Sequence, residues 1–285
     1  MRLLILLCLP AVLLGCAGPD LPPPSHDREW QGYVSRHATV SWHTPARFSL
    51  RNVRNWEWNA DGPVRKRWET RRHDLDDLRA IWFFVEPFPG APAFAHTFIT
   101  FEFGEGRGRE FLSVSVEARR EIGEDYSAFR GLRGDFELIF AWSTERDILT
   151  DSVLNFGHEM RMYRVNVTPE QARRILRGFL ARTEEIARRP ERYNTLRHNC
   201  TTELAAVVNR EFGDPIPWHT SFVFTGGAAK YLHRLGYLGE PERPFRQVRA
   251  RARVERLIAH FAELSERRFS AALREGLAAM AARRD

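Results

Sequence analysis

At 43% hydrophobic and 12% aromatic over 285 residues, the chain can bury a sizeable core, which excludes an intrinsically disordered protein. Three cysteines are too few for a disulfide scaffold. The net charge of +6 rests on arginine, Lys66 and Lys230 being the lysines.

The chain opens on Arg2, an apolar run Leu3–Leu14 too short to cross a bilayer, and a small residue, the three parts of a secretory signal. Leu13-Leu14-Gly15-Cys16 resembles a bacterial lipobox, which implies lipidation of Cys16 and cleavage before it; an ordinary signal peptide cut after Ala17 or Gly18 is the alternative. The expected organisation is a lipoprotein signal over 1–15, a lipid-anchored tether over 16–27, one domain over 28–240 and a helical tail over 241–285. Pro22-Pro23-Pro24 makes the tether semi-rigid. Ala17 after the cysteine points, by the same resemblance, to the outer membrane. For such a monomeric, membrane-tethered protein, arginine suits acidic lipid headgroups or cell-wall polymers, with no nucleic acid expected; a mixed-sign solvated surface explains the same charges.

Leu50–Trp58 reads as a strand, and the turn Asn59–Pro63 makes Val64–Arg71 its hairpin partner. Asp74–Leu78 is a bridge or helical turn, and Ala80–Val85 a buried strand. Ala95–Phe103 and Phe111–Glu117 flank a glycine loop and form a hairpin. On its first strand His96, Phe98, Thr100 and Glu102 share a face. Arg119–Gly134 is a long loop, and Asp135–Ser143 and Met160–Val167 are strands. Thr144 caps a helix reaching Asn155, and Thr168-Pro169 opens another that stops at Pro190. A further helix runs Thr201–Phe212, then an aromatic loop Trp218–Gly227 and a short helix Ala228–Leu238. Arg246–Arg284 is one or two amphipathic helices, packed on the domain or laid on acidic lipid.

Once the leader is removed and Cys16 lipidated, Cys200 is the remaining thiol, without a disulfide partner. It is either an inert buried residue or a reactive one. Its place at a helix start favours a thiolate, because free N–H groups and the macrodipole converge there. A thiol nucleophile needs a base. His26, His37, His43 and His73 lie in polar stretches, His198 is too near in sequence to face the thiol, and His219, His233 and His260 are weaker rivals. His158 lacks a second metal-ligand histidine, and no metal or cofactor is expected. His96 opens an apolar strand, where a polar residue needs a reason. Hairpin pairing sets Ser115 to Glu117 opposite it; Glu117 would orient the ring by charge, Ser115 by a neutral hydrogen bond. Asn199 could offer its amide near the thiol, and the Cys200 N–H is a natural oxyanion donor. Tyr193 and Asn194 before the cysteine, and Arg119 and Arg120 after the hairpin, are candidate substrate contacts, solvated charge being the alternative for the arginines.

The runs L-R-N-V-R-N-W, H-D-L-D-D-L, F-A-H-T-F-I-T-F-E-F, L-S-V-S-V-E-A-R-R-E-I-G-E-D-Y-S and R-Y-N-T-L-R-H-N-C-T-T, in order between Arg51 and Gly239, resemble the Lnb N-terminal periplasmic domain family. One branch is known as lipoprotein intramolecular transacylases. The resemblance implies a Cys–His acyl-transfer site and an α+β fold related to circularly permuted papain-like enzymes. That fold has an antiparallel sheet and a helix starting at the cysteine, here with a C-terminal helical appendage. It implies a thiol acyltransferase or amidase working through a thioester on lipid, lipoprotein or peptidoglycan. The transacylase branch carries membrane-spanning helices that are not found here after the signal, so its substrate does not transfer automatically. The alternative is a non-catalytic envelope lipoprotein with Cys200 buried.

Overall fold

The computed structural model describes residues 21–282; the signal, Cys16 and the first tether residues lie outside them. In chain order the elements are β1 (Thr39–Trp42), β2 (Arg47–Arg54), β3 (Glu57–Asn59), β4 (Gly62–Arg65), β5 (Trp68–Asp74), β6 (Leu78–Phe88), β7 (Ala91–Phe103) and β8 (Glu110–Arg119). There follow α1 (Ala128–Arg133), β9 (Glu137–Thr144), α2 (Glu145–Thr150), β10 (Arg161–Arg164), α3 (Pro169–Arg188) and α4 (Cys200–Phe212). The chain ends with α5 (Ala228–Arg234), α6 (Phe245–Arg251), α7 (Glu255–Phe261) and α8 (Glu266–Ala282). The protein is α+β.

The main sheet runs β1-β2-β9-β8-β7-β6-β10, with β5 also on β2. Every pairing is antiparallel except β2 with β9, which meet in parallel at Arg54↔Ser143, so the sheet is mixed rather than antiparallel throughout. The expected partner of Leu50–Trp58 divides in two. Asn52 takes φ 60°, Asn55 N–H bonds the Arg67 carbonyl and Trp56 N–H bonds Asp147. These bonds break the strand, leaving β5 on β2 and a separate β3–β4 hairpin.

Strand alternation separates two cores. Ile99, Phe101, Val114, Phe140 and Trp142 face α3 and α4, whose Ile175, Leu176, Phe179, Leu204 and Val207 complete that core. Phe84 and Phe98 face the other way, against Leu149 of α2, Ile258 of α7 and Phe269 and Leu273 of α8. The arginine-rich tail thus forms three helices rather than one or two: Val248 of α6 joins the first core, while α7 and α8 make a layer beneath the sheet. Arg274 of α8 locks it there, bonding Glu145 at 2.6 and 2.7 Å under the rings of Trp82 and Phe111. No helix among the described residues is long and apolar enough to cross a membrane.

Local chemistry sets the segments that matter for the site. Gly104 closes the β7–β8 hairpin at φ 70°, where a Cβ would lie 2.8 Å from the Gly108 carbonyl. α3 opens on a capping box of Thr168 and Gln171 with Pro169 in its first turn, as its sequence requires. α4 opens on a second box, Asn199 with Thr202, and ends at Gly213 in the left-handed region.

Candidate active site

β6 ends, β7 begins, β8 ends and β9 begins at one edge of the sheet, and α4 starts over it. The β7–β8 ladder stops at Phe98↔Ser115 although both strands continue. His96 and Glu117 lie just past the last rung. The thiol of Cys200 sits at this split, where it reaches both the His96 ring and the Thr97 backbone and hydroxyl.

His96 Nε2 lies 2.6 Å from Ser115 Oγ and 3.1 Å from Glu117 Oε1. The Ser115 hydroxyl donates to Glu117 Oε1 at 2.5 Å, so it accepts from the imidazole. Sequence left Ser115 and Glu117 as alternatives; the structure brings both to the same ring nitrogen. The thiol meets the same ring. Cys200 is 6% exposed, while His96 and Glu117 keep 16% and 26% of their side chains accessible.

Burial alone would neutralise all three groups, and it is the largest influence on each. Their mutual charges outweigh it. The Glu117 carboxylate and the hydrogen-bonded thiol together hold the His96 ring well above the ordinary histidine range. His96, by hydrogen bond and charge, with the N–H and hydroxyl of Thr97, holds the Cys200 thiol below its usual value. Glu117 is held low by His96, Ser115 and the charge of Arg54. Both shifts favour a thiolate against an imidazolium.

The other candidates have different tasks. Asn199 spends its carbonyl on Thr202 N–H and its amide on the carbonyls of Thr195 and Phe222, so its amide caps and fastens the helix start rather than facing a carbonyl on the thiol. Asn194 forms the preceding turn, accepting from Leu196 and Arg197 N–H and donating to the Leu132 carbonyl. Tyr193 is buried beside the thiol; burial, then the thiolate charge, pushes its phenol well above the ordinary range. Arg119 is 2% exposed and holds the carbonyls of Val34 and Ser35 and the His37 ring, and Arg120 bonds the Tyr33 hydroxyl. Arg119 is thus committed within the fold, while Arg120 is half-buried against Tyr33. His198 turns away from the thiol to Glu203, at 2.7 Å.

Two contributors escaped the sequence. Thr97 alternates to the face opposite His96, so pattern alone separates them; only the end of the ladder lets one thiol touch both. Thr97 also bonds Thr201, 2.9 Å between hydroxyls. Arg54 is 6% exposed, bonded through Nε to Asp147 Oδ2 at 2.9 Å and 3.8 Å from Asp151. Its signal was an arginine following apolar Val53 in a strand. No group of metal-binding side chains occurs among the described residues.

Fold and site define an α+β protein that presents a helix-borne thiol to a strand-borne imidazole backed by a hydroxyl and a carboxylate. The chain belongs to the Lnb N-terminal periplasmic domain family, which matches residues 65–220, more than half its length and all four of these residues. That assignment points to a periplasmic location. No match was found among curated proteins or solved structures.

Proposed function

We propose that the protein is a cell-envelope thiol acyltransferase or amidase, the observation that carries this being the chain Glu117–Ser115–His96 ending on the Cys200 thiol. The thiolate attacks an ester or amide carbonyl, forming a C–S bond. The Cys200 N–H, at the start of α4, meets the developing oxyanion. His96 gives its proton to the leaving alcohol or amine as the tetrahedral intermediate collapses to a thioester. An amine or water then attacks while His96 takes the proton back, and the thiolate leaves. Histidine preceding cysteine, with the thiol at a helix start facing a strand, supports the permuted papain-like reading. Lipidation of Cys16 would hold the site at a membrane surface, which favours lipid, lipoprotein or peptidoglycan substrates.

The test is acylation of Cys200. Wild-type protein given an acyl ester should gain a hydroxylamine-sensitive mass that disappears in Cys200→Ser and falls by on the order of a hundredfold in rate in His96→Ala. Labelling that persists in Cys200→Ser, or a thiol that alkylates slowly with an ordinary pH dependence, would instead favour a binding module with an inert buried cysteine.

A further inference from the structure

Thr201 does more than follow the nucleophile. Its hydroxyl lies 3.9 Å from the Cys200 sulfur, and the residue lines an apolar cavity between α3, α4, the sheet and α5. The cavity takes Leu204, Ala205, Val208 and Phe212 from α4, positions that form one stripe down the helix, and Ile99 from β7. At about 1.5 Å per residue, Ala205 lies about 6 Å below Thr201, Val208 about 10 Å and Phe212 about 16 Å. The space admits roughly ten water-sized groups, and its walls are almost wholly apolar. An apolar space whose wall includes the residue next to a nucleophile is suited to an apolar ligand held close to that nucleophile.

We propose that this cavity is a chain-length gauge: it receives an aliphatic acyl chain whose carbonyl lies at Cys200, the chain passing Ala205 and Val208, with Phe212 limiting how long it can be. The inference rests on the thiol reading above and deepens it. A flexible methylene chain loses no hydrogen bond on entering such a cavity, whereas a peptide would bury amides with almost no polar partner. Each methylene that leaves water for the cavity contributes to binding, so donor preference should rise with length until the chain meets Phe212.

The experiment is acylation of Cys200 by p-nitrophenyl acetate, octanoate and palmitate, read as adduct rate by mass. Wild type should prefer the longer donors by at least tenfold over acetate. Ala205→Phe fills the cavity close to Thr201 and should lower the long-to-acetyl ratio at least tenfold. Val208→Phe blocks it deeper, so octanoate should suffer less than palmitate. Ala206→Phe, exposed on the opposite face of α4, should leave the ratio unchanged. Alkylation of Cys200 shows whether each variant keeps its site. Adduct formation without chain-length dependence in wild type, or an unchanged ratio in both cavity variants, overturns the gauge alone. No adduct from any donor overturns the thiol reading, and the gauge with it.

Discussion

At the scale of single residues, the site depends on charges winning against burial. Glu117 is the largest favourable influence on His96, and His96 in turn on Cys200. Removing the carboxylate should therefore act through the ring on the thiol. Glu117→Gln should lower the His96 pKa and raise that of Cys200, cutting iodoacetamide reactivity at pH 6 by on the order of tenfold. Ser115→Ala should cost less, because Glu117 Oε1 still lies 3.1 Å from His96 Nε2. The expected pH profile of wild type is a bell. Its acid limb is set by the thiol, below the usual cysteine range, and its alkaline limb by the imidazole, above the usual histidine range. Arg54 acts one step further out, steadying Glu117 while Asp147 and Asp151 steady Arg54. Arg54→Met should shift the acid limb upward and Arg54→Lys should restore most of it; equal profiles for wild type and Arg54→Met would show that the buried arginine serves folding alone.

At the scale of elements, local chemistry was legible in sequence and long-range pairing was not. The β7–β8 hairpin, the Thr144 and Thr168 caps, and the start of α4 are set by neighbouring residues, and reading them needs no partner from afar. Even the placement of Ser115 to Glu117 opposite His96 follows from the turn. The parallel contact of β2 with β9 joins residues far apart in the chain, and the broken strand at Asn55-Trp56 depends on Asp147, which no local pattern reveals. Asn199 shows the limit within the site: its type suits an oxyanion amide or a cap, and only its partners decide. Asn199→Ala and Thr168→Ala should each destabilise by about 1 kcal/mol in urea unfolding. They should differ in reactivity. The Asn199 change also frees the helix start from Thr195 and Phe222, so it should slow Cys200 alkylation several-fold, while the Thr168 change should leave it alone.

Across the whole molecule, buried histidines of opposite tendency set the pH range of stability. His37 is driven down to about 3, first by burial and then by Arg119 and His26; His73 is driven down to about 4, by burial and then Arg71. Both are neutral in the folded chain and become charged on unfolding below their free value of 6.5. The unfolded state binds more protons there, so stability falls as pH drops from about 6.5 toward 4. Asp151 opposes this. Burial raises it to about 6, so the folded state takes up a proton as pH falls through that value, offsetting roughly one histidine. On the alkaline side His96 and His198 have raised folded values; their contribution is full below 6.5 and is lost as pH rises through those values. His73 is the group to test, since it is 8% exposed and stacks on Phe103 at 4.2 Å. His73→Gln should lower stability at pH 7 through lost stacking, yet flatten the acid limb by up to about 1.4 kcal/mol per pH unit. Urea unfolding of both proteins at pH 7, 6 and 5 reads the slope directly. Parallel curves would mean that His73 is not the proton-linked group, and that the acid limb belongs to His37 and its neighbours around Arg119.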